Sequence, residues 1–179
     1  GSLVFGSVVA VAQEMPKESV LSLGLAQRAT QAAIDACKKD GYRVSVSVVD
    51  RAGLLRAMGR ADGAGPHTID SSRKKAYTAV SLRRATSELA DLMSRTQTLQ
   101  ALRDMNEQIL MLGGGLPIEI GGEVVGAIGV GGAPGTHLDD ACAEAMPPLV
   151  PFHPGPYGTK PKDVAGPFTF PSTDGDWDF

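Results

Sequence analysis

Aromatic residues are scarce in this chain: nine in 179, and only Tyr42 and Tyr77 between positions 19 and 149. A core in that stretch is therefore aliphatic, and a large planar ligand there would find few aromatic walls. Cysteine is nearly missing too. Cys37 and Cys142 each fall in an expected helix and are too few for a disulfide framework, so they do not decide the redox compartment. The 17 Lys and Arg against 20 Asp and Glu leave a charge of −3, without the basic excess of a nucleic-acid binder. No stretch reaches the roughly 18 uninterrupted apolar residues of a membrane span. Several motifs are also missing: G-x-G-x-x-G, Gly-Lys-Ser/Thr, His-x-x-x-His, Cys-x-x-Cys and Gly-x-Ser-x-Gly. Their absence argues against dinucleotide, P-loop, simple zinc and nucleophile-elbow chemistry.

What is present fits one domain of ordinary size with its own core. Residues 1–18 are expected to be a signal-peptide remnant and N-terminal segment. The apolar run Leu3–Val11 and the pair Ala10-x-Ala12 resemble the end of a signal with its cleavage site, which predicts a periplasmic or secreted protein. Residues 19–149 form the expected domain. Residues 150–179 change character: they are rich in proline and hold six of the nine aromatics, Phe152, Tyr157, Phe168, Phe170, Trp177 and Phe179. Such a tail is expected to lie across the domain or a neighbouring subunit.

Within the domain, Leu25, Ala29, Ala33 and Cys37 share one helical face over 19–39, with Lys38-Lys39 before Gly41 as the stop. Val44, Val46 and Val48 alternate with Ser45 and Ser47, the period of a half-buried strand. Asp50–Gly53 turns the chain into a second strand over Leu54–Met58. Thr68 is expected to cap a helix running to Leu82, with Ile69, Ala76 and Val80 on its apolar side. Two short helices follow at 86–94 and 97–108, then the apolar stretch Ile109–Leu112. Leu116–Ile120 and Glu123–Val130 flank Gly121-Gly122, a tight hairpin signal, and a last helix spans 137–146. Hairpins require antiparallel pairing. The predicted fold is α+β, a single-domain α/β sandwich whose antiparallel sheet of about five strands carries packed helices.

Two glycine-rich loops hold the candidate chemistry. One is Asp62-Gly63-Ala64-Gly65-Pro66-His67, before Thr68. The other is Gly131-Gly132-Ala133-Pro134-Gly135-Thr136-His137, after an apolar strand. Each ends with a histidine beside a threonine at an expected helix start, where backbone N–H groups and the helix dipole favour an anion. The hairpin surroundings remove a nucleotide reading. The two loops are expected to wall one pocket. His67 and His137 could ligate a transition metal or serve as general acid/base, and His153 in the tail is a weaker candidate. Arg60 and Asp62 could orient a carboxylate ligand or pin the loop as an internal pair. Lys75 could reach a ligand carboxylate, and with His67 and Asp62 forms the candidate acid/base set. Gly114, Gly115, Gly132 and Ala133 would allow close backbone approach.

Several of these residues recur in one ordered set: Asp50-x-x-Gly53, Arg60-x-Asp62-Gly63-Ala64, Lys75-Ala76-x-Thr78-Ala79, Gly114-Gly115-Leu116-Pro117-Ile118, Gly126-Ala127-Ile128-Gly129-Val130-x-Gly132-Ala133, then Asp139-Asp140 and Ala143. Over 19–146 this set resembles the GlcG/HbpS family, which is related to the C-terminal domain of PduO-type proteins. The resemblance implies an α/β sandwich, homo-oligomers from dimer to octamer, and haem or another tetrapyrrole as ligand, with His67 or His137 on the iron. Gly131 stands where the family commonly has serine, and the aromatic tail lies outside the family pattern. Haem would draw aliphatic walls from Met58, Met111 and Leu112, from a subunit interface or from the tail. Three readings follow: an exported haem- or tetrapyrrole-binding protein, a small-molecule enzyme using the loop histidines and Lys75, or a non-catalytic oligomeric partner protein.

Overall fold

The computed structural model describes residues 18–147. The expected signal remnant, the tail and His153 lie outside the described residues. Helix α1 spans Leu23–Lys39; the Ser22 side chain accepts from the Leu25 N–H at 3.3 Å, and Lys38 and Lys39 sit favourably in the last turn. Strand β1 covers Ser45–Asp50 and β2 covers Leu55–Arg60. Helix α2 runs His67–Leu82 and α3 Thr86–Arg95, followed by a 3-10 helix over Gln97–Asp104. Strands β3 (Gly115–Ile120) and β4 (Glu123–Gly131) form the second hairpin, and α4 spans Thr136–Glu144. Gly121 and Gly122 take φ of 62° and 80°, as a two-residue turn between right-twisted strands requires.

The four strands make one antiparallel sheet in the order β2-β1-β4-β3. Among the described residues no fifth strand is formed. Within Ile109–Leu112, the Leu110 N–H donates instead to Thr78 Oγ1 at 2.8 Å, and Met111 packs with Leu89 and Met93. Helices α1 and α4 cover one face of the sheet through Leu25, Ala29, Ala33, Val46, Val48, Ile128 and Val130. Helix α2 covers the other through Ala76, Ala79 and Val80 against Val49 and Ala127.

β1 corrects a second expectation. Its serines do not face water: Ser45 and Ser47 are fully buried beneath α2. Buried hydroxyls need partners. Ser45 Oγ shares a hydrogen bond with Thr68 Oγ1 at 2.7 Å, and Ser47 Oγ with Ser72 Oγ at 2.9 Å. The same contacts rotate α2 away from its expected pose. Thr68 lies inside the helix rather than at its cap, and Ile69, expected on the apolar side, is 38% exposed.

A Cys37–Cys142 disulfide joins α1 to α4 across 105 residues, with Cα atoms 5.4 Å apart. Two cysteines make no framework, but they do make this staple.

Candidate functional site

The sheet register brings the two glycine loops to one end of the fold. Ser45 pairs with Arg60 on one side and Gly131 on the other, so both loops leave the sheet flanking the start of β1. The start of α2 joins them there: a Cβ at Gly132 would lie 3.2 Å from Thr68 Cγ2. His67 and His137 are both exposed, on the first turns of α2 and α4. Each ring lies against a glycine of its own loop, His67 on Gly65 and His137 on Gly135, where a side chain would collide with the imidazole.

Around His67, Arg60 pins its own loop, with Nε donating to the Ala64 carbonyl at 3.0 Å and Nη2 donating to the same oxygen. Its partner is thus a carbonyl and not Asp62. Asp62 is exposed and lines a cavity of about 360 Å³ with Tyr42, Lys38 and Arg43. Gly63 takes φ of 79°, and Arg43 lies across it: a Cβ there would be 3.0 Å from Nη1. Arg43 makes no ion pair among the described residues.

The remaining predicted residues form a second, internal cluster behind the loops. Lys75 is 1% exposed; its Nζ donates to Asp139 Oδ2 at 2.7 Å and to the Val130 carbonyl at 2.9 Å. The other oxygen of Asp139 accepts from the Ala133 N–H at 3.0 Å, which fixes the second loop. Asp140 accepts from the Gly114 N–H at 2.5 Å, and the Gly114 carbonyl accepts from the Val130 N–H. The Gly115 N–H donates to Thr86 Oγ1 at 2.8 Å. Gly114, at φ of 111°, lets the ammonium through, since a Cβ would sit 3.0 Å from Nζ. Burial pushes the Asp139 carboxyl above the ordinary aspartate range, against the opposing pull of Lys75. Ion pair and glycines together tie α2, β4, α4 and the start of β3.

Sequence reasoning named Lys75 but not its partnership with Asp139, which lies 64 residues away. It did not name Arg43, read Thr68 only as a helix cap, and met Asp140 only within the family pattern. The Asp139-Asp140 doublet in the first turn of the expected last helix was the visible signal.

Comparison with known proteins places this geometry. The family model described as "Haem degrading protein HbpS-like" matches residues 21–146. The chain is 37% identical over 115 residues to a 15.0 kDa protein of the dhaT-dhaS intergenic region of Citrobacter freundii, covering 64% of this chain and 81% of that one. Its fold is similar to a doubly substituted HbpS of Streptomyces reticuli, with TM-score 0.71 and 41% identity over 80% of this chain and 95% of that one. It is also similar to the PduOC:haem complex, with TM-score 0.66 and 27% identity over 72% and 93% of the two chains.

Proposed function

The chain belongs to the HbpS-like family, and from that premise we propose that it binds haem at the end of the sheet where its two glycine loops lie. The observation that carries this reading is the pair of exposed imidazoles, His67 and His137, held on two helix starts at one end of one sheet. Haem iron takes one or two axial side chains, whereas a bare zinc ion takes three or four. Among the described residues no group of three or more His, Cys, Asp or Glu is gathered to hold a metal ion. Two histidines therefore suit a tetrapyrrole iron better than a naked cation.

The surroundings fit the same ligand. Ile69, two residues beyond His67, and Leu112, beside the Gly113 that lies against Thr136, are 38% and 42% exposed and offer aliphatic contact. Arg43 at Gly63 is a cation suited to a propionate. Bound haem would supply an iron centre with its own ligand and redox chemistry. His67 or His137 would hold the iron, and Arg43 would orient the carboxylates. The acid/base alternative is weaker because the ammonium of Lys75 is engaged by Asp139 and Val130.

Hemin titration tests the reading. The expected result is a Soret shift with the parent and about tenfold weaker binding in His67→Ala or in His137→Ala, a loss of ~1.4 kcal/mol. No shift with the parent, or parental affinity in the doubly substituted protein, overturns it.

We also assign the protein to an oxidising, exported compartment. The Cys37–Cys142 disulfide and the signal-like start support this, because such bonds persist where thiols are not kept reduced.

A further inference from the structure

Four charged side chains line the cavity of about 360 Å³ at the end of α1, and none of them pairs with another. The register of β1 with β2 sets Ser45 against Arg60, and the Ala61 N–H donates to the Val44 carbonyl at 2.9 Å. The next pair outward therefore puts Arg43 opposite Asp62. Opposite charges at facing positions ordinarily join. Here the Arg43 side chain is drawn over Gly63 instead, where a Cβ would lie 3.0 Å from both Cδ and Nη1. On the other wall, Asp35 and Lys38 of α1 also make no ion pair among the described residues. Asp35 Oδ1 accepts from Gln31 Nε2 at 2.9 Å, which leaves its second oxygen for another donor.

The walls that carry these charges are fixed. The Gly41 N–H donates to the Lys38 carbonyl at 3.0 Å and the Tyr42 N–H to the Cys37 carbonyl at 2.9 Å, which ends α1, and Tyr42 packs on the main core. Gly41 takes φ of 81° and a Cβ there would meet nothing within 4 Å, so the mouth stands open. Gln31 and Ile34 also line a second cavity of about 410 Å³, which runs on between α1 and β2 past Thr30, Ala57 and Met58. Gly59 lets Ile34 lie against β2 there, since a Cβ would fall 2.6 Å from Ile34 Cδ1. The groove thus has a polar end with both signs of charge and an aliphatic extension.

A ligand with negative charge alone would meet Asp35 and Asp62, and one with positive charge alone would meet Lys38 and Arg43. A ligand carrying both satisfies all four. We propose that this groove binds a free α-amino acid with an aliphatic side chain. Its carboxylate lies on Arg43 and Lys38, its ammonium on Asp35 and Asp62, and its side chain over Ile34 toward Met58. The C-terminal end of α1 favours the ammonium as well. The cavity is at the small end of the ~300–1,000 Å³ range of small-molecule sites, which suits a ligand of this size. Holding the guanidinium over Gly63 beforehand lowers the ordering cost of binding. All four charged groups are exposed, so the expected dissociation constant is modest, on the order of 1 mM. The site needs no iron and goes beyond the haem reading, with which it shares Arg43.

Amide-shift titration with L-leucine, run without haem so that neither reading decides the other, tests the proposal. Leucine should shift amides centred on Gly41, Tyr42 and Ala61. L-Leucine methyl ester, which lacks the carboxylate, and N-acetyl-L-leucine, which lacks the ammonium, should each bind about tenfold more weakly, since each loses a charge-assisted contact. Lys38→Gln with Arg43→Gln should erase the preference over the ester. Asp35→Asn with Asp62→Asn should erase the preference over the N-acetyl compound. The three ligands carry the test on the unsubstituted protein, and thermal melting confirms that the variants fold. No shifts with leucine, equal affinity for all three compounds, or shifts centred elsewhere overturn the proposal. Leucine binding that both pairs of substitutions leave unchanged overturns it as well.

Discussion

At the scale of single residues, the Lys75–Asp139 pair dominates the energetics behind the candidate site. Both groups are almost fully buried, at 1% and 4% exposure, and a buried charge that loses its partner is costly. Lys75→Met or Asp139→Leu alone should lower unfolding stability by about 3–5 kcal/mol. Lys75→Met combined with Asp139→Leu should lose much less, because no charge is stranded. Urea denaturation of the four proteins measures the cycle, and additive losses would show that the two residues act separately. The pH dependence has a definite sign. The folded-state pKa of Asp139 is raised, so its contribution to stability is full below the unfolded value of 3.8 and is lost as pH rises through the folded value. The stability difference between the parent and Asp139→Asn should therefore move against the parent with rising pH across that window. Lys75 was legible as a charge two turns into a helix. Its burial was not, because the partner arrives from a different element 64 positions later.

At the scale of elements, the contact of α2 with β4 depends on glycine. A Cβ built at Gly129 would fall on the Ser72 carbonyl and within 2.6 Å of the Ala76 backbone nitrogen, neither of which can move without the helix. Gly129→Ala should cost about 3 kcal/mol through overpacking. Gly121→Asn should cost well under about 1 kcal/mol, since that turn position tolerates asparagine at positive φ and faces open space. Thermal melting of both variants checks the contrast, and equal losses would refute the close-approach explanation. The helices and both hairpins were readable from periodicity and turn residues. The orientation of β1 was not. Alternating Val and Ser reads as one wet face, but the hydroxyls of Thr68 and Ser72 make that face dry. Ile109–Leu112 likewise reads as a strand until Thr78 takes up its backbone.

At the scale of the whole molecule, one covalent link closes nearly the full domain. Joining residues 105 apart removes roughly 4–5 kcal/mol of chain entropy from the unfolded state on the loop-closure account. Cys37→Ser with Cys142→Ser should lower unfolding stability by about 2–5 kcal/mol, and dithiol reduction of the parent should do the same. Thiol labelling of the native protein should find no reactive group at Cys37 or Cys142; rapid labelling would refute the link. Because Cys142 follows Asp139 by one helical turn, the reduced protein should also show faster amide exchange at Ala133. By itself the sequence determined the α+β class, most element positions, the two glycine loops and the family, because hydrophobic period, turn glycines and ordered motifs are local signals. Only the tertiary structure decided that the loops share one end of a sheet, that Lys75 belongs to Asp139 and that Cys37 meets Cys142. Those are pairings between distant segments, and they are set by strand register and helix packing rather than by any local preference.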